Sequence, residues 1–364
     1  MSKRLQNRLR LQARVIEELF RRHGLAVHVD GGVVGSHVTS YRLREQDEFG
    51  WERLPLPELT EDLVESLGVP DVRIRREFGQ AEVEVGHGPS TGAGLLDLLE
   101  QVSLSPLVGL LGTASGRPLL LNLASAETAH MLVVGGPGAG KSGLLRSLAV
   151  SLALHSRQAQ LQMVCFLPPG GERGGGSPLR TLAYLPHLMT SLVTDMDDIR
   201  EVLAFLVAEI DYRRQAGVRL PHIVVLFDDV SCLYDARSEQ LASSLLRLLN
   251  EGGPAGIHLL ATSGPPATAR QKRLLQADWP VRVVGRLAPE LAAEIGMPDA
   301  GRLAGQGGFL VHSQGAELRF QAAALDDFDL QLCLDELQQS RRPAKKANGA
   351  PFSRNGDEVV FAAR

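Results

Sequence analysis

A glycine-rich run near the middle of the chain has the residue types and the spacing of a phosphate-binding loop. The run follows the pattern GxxxxGK[ST], in which glycines let successive backbone N–H groups wrap a β-phosphate at the start of a helix. In this pattern the lysine, Lys141, reaches the β- and γ-phosphates, and the serine hydroxyl, on Ser142, binds Mg²⁺. An apolar strand precedes the run and a helix follows it, so we predict an ATP-binding site. Its residues are Gly135, Gly136, Pro137, Gly138, Ala139, Gly140, Lys141, Ser142 and Gly143.

Two acidic residues close an apolar strand farther along the chain. The strand 223–227 is followed by Asp228 and Asp229. In P-loop ATPases the first acidic residue at this place orients Mg²⁺, and the next one stands where a water-activating base usually lies. Aspartate also ends many strands simply because it favours turns. The position two strand–helix units after the loop leads us to predict that Asp228 holds Mg²⁺ with Ser142, and that Lys141, Asp228 and Asp229 are catalytic.

The candidate site residues must be positioned by strands and helices. Five short apolar runs, separated by helical stretches, predict the strands. The runs are 131–134, 161–167, 223–227, 257–261 and 281–284. Strands this apolar, alternating with amphipathic helices, are typical of an α/β fold whose mostly parallel sheet is covered on both faces. The best-marked helix lies between the second and third strands, and we predict that Thr194 caps it and Gly217 ends it.

The residues before this repeat predict a smaller α/β unit. Apolar residues recur at helical spacing before Gly24, and Thr39, Tyr41 and Leu43 alternate with polar neighbours as in a half-buried strand. A short helix and two further strands follow. We therefore divide the chain into a small α/β domain over 1–105, a larger domain over 106–338 and a flexible basic tail over 339–364.

The composition is that of an ordinary globular protein. The formal net charge of −4 excludes a globally basic nucleic-acid binder but not a local basic surface. Cys165, Cys232 and Cys333 lie far apart without metal-binding spacing, so we expect them to be small, mostly buried side chains. His130 and His187 show no partner pattern for a metal, and we expect structural roles. No apolar stretch approaches the ~20 residues of a membrane span and the start does not resemble a signal peptide, so we expect a cytoplasmic protein.

Several stretches together resemble the DNA-translocase motors of the FtsK and SpoIIIE family. In the larger domain they are 116–118, the strand and loop 129–142, 185–188, 193–196, 220–226, 256–262 and 305–307. In the first domain 35–44 and 67–74 are similar as well, so the resemblance spans roughly 9–335. It implies a RecA-like second domain, ATP and Mg²⁺ as cofactors, a homo-oligomeric, hexameric ring, and double-stranded DNA in the central pore.

The chain departs from the family pattern at positions that bear on hydrolysis. Asp229 stands where the family has a catalytic glutamate, Gly253 where it has an arginine that acts on the neighbour's nucleotide, and Ser263 where it has a glutamine. A carboxylate displaced on the order of 1 Å can cost about 10²-fold in rate, and loss of a trans-acting arginine about 10³–10⁵-fold. We therefore expect an ATPase with slow turnover. Arg247, the nearest upstream arginine, is the candidate to substitute at Gly253.

A basic cluster after Ser263 lies in a segment that faces the pore in the family it resembles. We predict that Arg270, Lys272 and Arg273 contact DNA phosphates; the alternative is a solvated helix face. Arg173 and Arg180, which flank a glycine-rich loop, are weaker candidates, and the basic tail could add nonspecific affinity.

Three functions fit these patterns. The first is a stand-alone FtsK-like motor module acting on DNA, since the family's membrane segment, linker and winged-helix domain have no counterpart in the sequence. The second is a degenerate motor that binds ATP, hydrolyses it poorly and serves as a structural or regulatory subunit. The third is a secretion-type ATPase that engages protein. A small-molecule kinase explains neither the first domain nor the spread of similar segments.

Overall fold

The amino-terminal unit is a four-stranded antiparallel sheet in the order β1-β2-β4-β3, with two helices packed on it. The computed structural model describes residues 3–34, 38–45, 55–69, 71–77, 80–86, 93–167, 177–235, 239–266 and 268–339. The elements of this unit are α1 Lys3–Arg22, β1 Val27–Val34, β2 Val38–Glu45, α2 Leu56–Leu67, β3 Val72–Glu77 and β4 Gln80–Gly86.

A separate apolar core holds this small unit together. Side chains of both helices pack against one face of the sheet, among them Phe20 of α1 and Leu63 of α2, which are fully buried. In β2, Thr39, Tyr41 and Leu43 all point inward, as their alternation predicts. The small α/β unit expected from the sequence is therefore present as a layer of helices on a sheet.

The contacts of the segment 93–99 bear on where the two units divide. Helix α3, Leu95–Leu99, packs into the core of the larger unit, where Leu95 and Leu98 are buried. Gly94 also forms a bridge with Ala324, near the end of the larger unit. Because these contacts tie the segment to the second core, we propose that the small unit ends near β4 and not at residue 105.

A nine-stranded sheet forms the larger unit, in the order β6-β5-β13-β12-β11-β7-β10-β9-β8. The strands are β5 Val108–Ala114, β6 Arg117–Asn122, β7 Met131–Val134, β8 Leu161–Phe166, β9 His222–Phe227, β10 Ile257–Ser263, β11 Val281–Val284, β12 Gly308–Ser313 and β13 Ala316–Ala322. The helices are α4 Lys141–His155, α5 Met196–Ala216, α6 Ser231–Asp235, α7 Glu239–Glu251, α8 Ala269–Gln276, α9 Pro289–Glu294 and α10 Asp327–Gln339.

The five strands predicted from the apolar runs form the parallel part of this sheet. β11, β7, β10, β9 and β8 are parallel neighbours, whereas β12, β13, β5 and β6 continue the sheet with antiparallel pairing. The prediction of an α/β fold with a mostly parallel sheet is confirmed. Parallel strands end at the same edge, so the residues after β7, β9, β10 and β11 are brought together there.

Helices cover both faces of the parallel strands, which explains why the strands are apolar throughout. Alternate strand residues such as Met131 and Val133 face a core formed with α3, α4 and α10. Their neighbours, such as Leu132 and Val134, face a second core formed with α5, α7 and α9. The P-loop helix α4 is thus fixed on one face, while the helix before the acidic strand lies on the other.

The amino-terminal cap of α5 differs from the prediction by one residue. The carboxylate of Asp195 accepts the backbone N–H of Asp197 at 2.8 Å, and Asp195 has the extended backbone of an N-cap. Thr194 lies one position too early, so its prediction as the cap is wrong. At the other end Gly217 is left-handed, φ 67°, and donates to the carbonyl of Arg213, which confirms the predicted stop.

Three histidines connect the amino-terminal ends of β7, β9 and β10. Nδ1 of His258 lies 3.1 Å from the carbonyl oxygen of Ala129, so it carries the proton. Its Nε2 therefore accepts from Nδ1 of His222, 2.8 Å away. Nδ1 of His130 accepts the backbone N–H of Leu259 at 3.0 Å. Burial lowers the pKa of His130 to about 4 and that of His258 to about 3, so both are neutral at pH 7.

The other predicted structural residues are also inside the larger unit. Nε2 of His187 lies 2.8 Å from the carbonyl oxygen of Ser156. Cys165 and Cys333 are buried, Cys232 is half-buried, and burial raises the pKa of Cys165 to about 12. The described residues contain no cluster of metal-ligand type and no helix long and apolar enough to cross a membrane. Nearly all of the predicted basic tail, residues 340–364, lies outside the described residues.

Candidate nucleotide-binding site

The glycine-rich run forms a loop between the end of β7 and the first turn of α4. Gly138 and Gly140 have φ values of 74° and 96°, a backbone region that side chains with a Cβ rarely adopt. A Cβ on Gly140 would also lie 3.0 Å from the backbone nitrogen of Gly307, so the loop and the turn 305–307 approach closely. Gly143 follows in α4, where an added Cβ would meet open space, so packing does not require glycine there.

Backbone hydrogen bonds from neighbouring segments hold this loop in place. Gly135 donates to the carbonyl of Ser263 at 3.3 Å, and Gly136 donates to the carbonyl of Arg286 at 2.9 Å. The carbonyl of Ala139 accepts the N–H of Gly307 at 3.1 Å. The loop is therefore positioned by the residues that end β10, those that follow β11, and the turn before β12.

Lys141 lies at the first position of α4 and turns its side chain back over the loop. Its Nζ donates to the carbonyl of Gly135 at 2.8 Å and to that of Gly136 at 3.1 Å. Burial lowers the pKa of Lys141, while the negative charges of Asp229 and Asp228 act in the opposite direction. The ammonium group is thus held at the loop, facing the two carboxylates that end β9.

Asp228 is the centre of a hydrogen-bonded group of side chains. Its Oδ1 accepts from the hydroxyl of Ser142 and from that of Thr262, each at 2.8 Å, and its Oδ2 accepts from the hydroxyl of Ser177. Asp228 is buried, with only 5% of the residue exposed. The sheet order explains the convergence, because Asp228 follows β9, Thr262 lies on the adjacent β10, and Ser142 is in the helix after β7.

The group of Asp228, Ser142, Thr262 and Ser177 has the chemistry of a site for a hard cation. All four present oxygen atoms, the ligands that Mg²⁺ prefers, and one of them is an anionic carboxylate close to the loop. The residues present therefore fit the Mg²⁺ that the loop pattern implies, with Ser142 and Asp228 as the predicted holders.

Sequence reasoning missed two members of this group. Thr262 carried a signal, because it lies at the carboxyl-terminal end of an apolar strand, at the edge where the loop was expected. Ser177 carried none, since it follows a glycine-rich segment whose path the sequence does not specify. In the structure Ser177 also caps the 3-10 helix Pro178–Tyr184 by accepting the N–H of Leu179 at 3.2 Å.

Asp229 is close to the site, but its carboxylate is engaged locally. The residue is left-handed, φ 62°, and its N–H donates to the hydroxyl of Thr262 at 2.8 Å. Its Oδ1 accepts the backbone N–H of Ser231 at 3.2 Å and also the Ser231 hydroxyl. The side chain therefore stabilises the start of α6, and it must leave these bonds to reach a water molecule near Lys141.

The other positions that depart from the family pattern lie in two different places. Ser263 ends β10 at the loop, where its hydroxyl donates to the carbonyl of Gly264 at 3.0 Å. Gly253 lies at the opposite edge of the sheet, where a Cβ would be 3.3 Å from Nε2 of His130. Arg247 is bound within its own chain, to Asp211 and to Glu251, so it must exchange these partners to act elsewhere.

The predicted DNA-contact residues lie on the short helix α8. Lys272 forms an ion pair with Glu294 in which both side chains are partly exposed, and Arg273 is exposed. The side chain of Arg270 lies outside the described residues, as does Arg173. Arg180 is half-buried in the 3-10 helix Pro178–Tyr184. Of the five cations, only Arg273 is described as exposed and without an ion pair to another described residue.

Two curated relatives are similar to almost the whole chain. The DNA translocase FtsK of Caldanaerobacter subterraneus subsp. tengcongensis is 26% identical over 394 residues, covering 99% of this chain and 54% of the relative. The DNA translocase SpoIIIE of Bacillus subtilis is 25% identical over 363 residues, covering 89% of this chain and 45% of the relative. The chain thus spans about half the length of the curated relatives it matches.

Two solved structures share the fold of the chain. The pCW3 conjugation coupling protein TcpA, in its monomer form with ATPgS, superposes with a TM-score of 0.55 at 19% identity, covering 91% of this chain and 100% of that one. The cytoplasmic domain of the Thermomonospora curvata type VII secretion ATPase EccC superposes with a TM-score of 0.56 at 19% identity, covering 74% of this chain and 36% of that one. The larger unit therefore has the RecA-like P-loop ATPase fold that the resemblance implied.

The segment that contains the phosphate-binding loop also matches a protein family. Residues 99–219 match the model of the FtsK/SpoIIIE family, a range that includes Gly135–Ser142 and ends before Asp228. The match and the curated relatives agree with the motifs identified in the sequence. This family match and the two curated DNA translocases confirm the resemblance inferred from the sequence.

Proposed function

We propose that this chain is an ATP-binding motor module of the FtsK type, which couples ATP binding and hydrolysis to movement on double-stranded DNA. One observation carries the nucleotide part of the proposal. The loop lysine, Lys141, and the hydrogen-bonded pair of Ser142 and Asp228 converge at the carboxyl-terminal edge of the parallel strands. This edge is where ligands bind in open α/β sheets.

Each of these groups has a task in phosphoryl transfer. The backbone N–H groups of the loop and the start of α4 bind phosphate oxygens, and Lys141 supplies a positive charge to the β- and γ-phosphates. Ser142 and Asp228 would hold Mg²⁺, which neutralises charge on the phosphates when it is bound. Thr262 fixes the orientation of the Asp228 carboxylate through its hydrogen bond.

The DNA part of the proposal is supported by the family domain and by α8. Arg273 is exposed, and the pair of Lys272 with Glu294 lies at the surface, where ion pairs contribute only about 0–1 kcal/mol. Lys272 can therefore exchange Glu294 for a phosphate at little cost. We propose that these side chains, with Arg270, line a path for DNA in a homo-oligomeric ring of six subunits in the cytoplasm.

A second function, a degenerate motor that binds ATP but hydrolyses it poorly, is favoured by the state of Asp229. Its carboxylate is one methylene shorter than glutamate and is hydrogen-bonded to Ser231 at the start of α6. The position of Gly253 also offers no guanidinium to a neighbouring subunit. In this case the chain would serve as a structural or regulatory subunit whose assembly depends on ATP.

The experiment that separates these functions is steady-state ATP hydrolysis by the full chain with and without linear double-stranded DNA. The motor predicts turnover that DNA stimulates and that Lys141→Ala abolishes. Tight ATP binding without turnover in either condition would support the degenerate subunit. Stimulation by a peptide, with indifference to DNA, would instead favour a secretion-type ATPase.

Asp229→Glu tests how much the shortened carboxylate limits hydrolysis. Glutamate restores the missing methylene, and we expect turnover to rise by at least about 10-fold because catalysis depends steeply on distance. An unchanged turnover would place the limiting step elsewhere. Asp229→Asn is the matched control, since it removes the negative charge while keeping the length of the side chain.

The salt dependence of DNA binding tests the contacts of α8. Each lysine or arginine that contacts a phosphate contributes about one unit to the slope of log K against log salt. Replacing Lys272 and Arg273 by glutamine should lower the slope by about two units. An unchanged slope would contradict the assignment of these residues to DNA.

A further inference from the structure

We infer that Arg286 is an additional phosphate-contacting residue of the nucleotide site, on the side of the loop opposite to Asp228. This inference rests on the proposed binding of a nucleotide at the loop. Arg286 belongs neither to the loop pattern nor to the acidic strand, and we assign its guanidinium to the β- and γ-phosphates.

The backbone of Arg286 belongs to the loop's immediate surroundings. Strand β11 pairs with β7 along its whole length, and Arg286 follows β11 just as Gly136 follows β7. The carbonyl oxygen of Arg286 accepts the N–H of Gly136 at 2.9 Å. The Cα of Arg286 is therefore fixed beside the second residue of the phosphate-binding loop.

The side chain of Arg286 runs along the same rim. A Cβ built on Gly305 would have two neighbours within 4 Å, Cδ of Arg286 at 3.8 Å and the carbonyl oxygen of Gly138 at 3.9 Å. The aliphatic stem of the arginine thus reaches the turn 305–307 at a point that the loop carbonyl of Gly138 also approaches. Gly305 is left-handed, φ 84°, and without a side chain it leaves this passage open.

Arg286 is exposed and forms no ion pair with an acidic side chain among the described residues. Many other arginines of the larger unit do form such pairs. Arg213 is paired with Glu209, Arg214 with Glu251, and Arg146 with Asp327. The backbone of Arg286 is fixed beside the loop, whereas its guanidinium is exposed. The guanidinium is therefore available for a charge-assisted hydrogen bond to a phosphate.

The sheet order gives the site two sides of opposite charge. β7 has β10 and then β9, with Asp228 at its end, on one side, and β11 with Arg286 on the other. A nucleotide at the loop would thus have the carboxylate and its bound Mg²⁺ on one flank and a guanidinium on the other. Neutralising phosphate charge from both flanks is the arrangement that favours binding of a polyphosphate over a monophosphate.

Titration calorimetry with ATPγS and ADP, in the presence of Mg²⁺, tests this assignment. Arg286→Ala should weaken binding of both nucleotides by about 10- to 100-fold, because a hydrogen bond to a charged group is lost. Arg286→Lys, which keeps the charge but not the bidentate head, should fall between the alanine variant and the wild type. Arg157→Ala, an exposed arginine just beyond the far end of α4, is the matched control and should bind like the wild type.

The outcomes separate this inference from the proposed function. Wild-type affinity in Arg286→Ala, together with loss of binding in Lys141→Ala, would overturn the role of Arg286 and leave the nucleotide site intact. Absence of nucleotide binding by the wild type would overturn both. Equal losses in Arg286→Ala and Arg157→Ala would also contradict the inference, since the effect would then reflect general surface charge.

Discussion

At the scale of single residues, the hydroxyl of Thr262 connects the two acidic residues of the site, Asp228 and Asp229. It donates to Oδ1 of Asp228 and accepts the backbone N–H of Asp229, both at 2.8 Å. The residue is fully buried, so neither partner can be replaced by bulk water. One side chain therefore sets the orientation of the predicted Mg²⁺ holder and the left-handed turn at Asp229.

Thr262→Val should destabilise the protein and slow ATP hydrolysis. Valine has nearly the same shape but no hydroxyl, so the part-buried N–H of Asp229 loses its acceptor and the buried carboxylate of Asp228 loses a donor, which together cost about 1–3 kcal/mol. Unfolding by urea, followed by circular dichroism, measures this loss. We also expect weaker Mg²⁺-dependent nucleotide binding, because the carboxylate of Asp228 is no longer fixed from the β10 side.

Thr262→Ser is the matched control for this change. Serine keeps the hydroxyl and removes only a methyl group, so Mg²⁺-dependent nucleotide binding should remain close to that of the wild type. Equal loss of binding in the serine and valine variants would show that the methyl packing, and not the hydroxyl, is what the site requires.

At the scale of elements, the start of α5 shows how a cap is chosen between adjacent polar residues. Asp195→Ala should destabilise the protein by about 1 kcal/mol, because the N–H of Asp197 loses its acceptor at the helix start. Thr194→Ala should change the free energy of unfolding by less than about 0.5 kcal/mol, since Thr194 is exposed and lies outside the cap. Urea unfolding of both variants measures the difference, and a larger loss for Thr194→Ala would contradict the assigned cap.

The sequence predicted those elements whose signal is local. The five apolar runs became the five parallel strands, and Gly217 ended α5 as expected, because burial on two faces and a left-handed stop leave direct traces in the residues. Helix α3 shows the limit of this approach. Its leucines pack into the core of the larger unit, but nothing in their spacing tells which of the two cores they enter, so the spacing does not determine the domain boundary.

The candidate site divides in the same way. Lys141, Ser142 and Asp228 were predicted because the spacing of the loop and the acidic strand end is set by chemistry. Thr262 and Ser177 join Asp228 only through the order of the strands and the path of a glycine-rich segment. These depend on contacts between residues far apart in the chain, which spacing does not record.

At the scale of the whole molecule, the first turn of α10 links the two units. Arg8 of α1 donates to both oxygens of Asp329, at 3.0 and 3.2 Å, and to Asp326 at 2.9 Å. Arg146, on the P-loop helix α4, pairs with Asp327 in the same turn. The segment 326–329 therefore binds both Arg146 of the P-loop helix and Arg8 of the small unit through its three aspartates, on a path that does not involve the sheet.

The buried histidines His130 and His258 should make the protein less stable at acidic pH. Their folded pKa values, about 4 for His130 and about 3 for His258, lie below the ordinary 6.5, so the unfolded chain binds protons first as the pH falls. Their contribution to the free energy of unfolding is complete above pH 6.5. It is lost below that pH, by about 2 kcal/mol for each histidine at pH 5. Asp329 opposes this change, because burial raises its pKa to about 6 and the folded state gains its proton first, worth about 1 kcal/mol at pH 5.

We therefore expect the free energy of unfolding to fall by about 3 kcal/mol between pH 7 and pH 5, as measured by urea unfolding at each pH. Asp329→Asn removes the opposing group and should make the fall steeper by about 1 kcal/mol. His258→Asn removes one titrating histidine and should make the fall shallower by about 2 kcal/mol, whatever it does to stability at pH 7. A fall of the same size in all three proteins would show that the acid sensitivity arises outside the histidine group at the amino-terminal edge of the sheet.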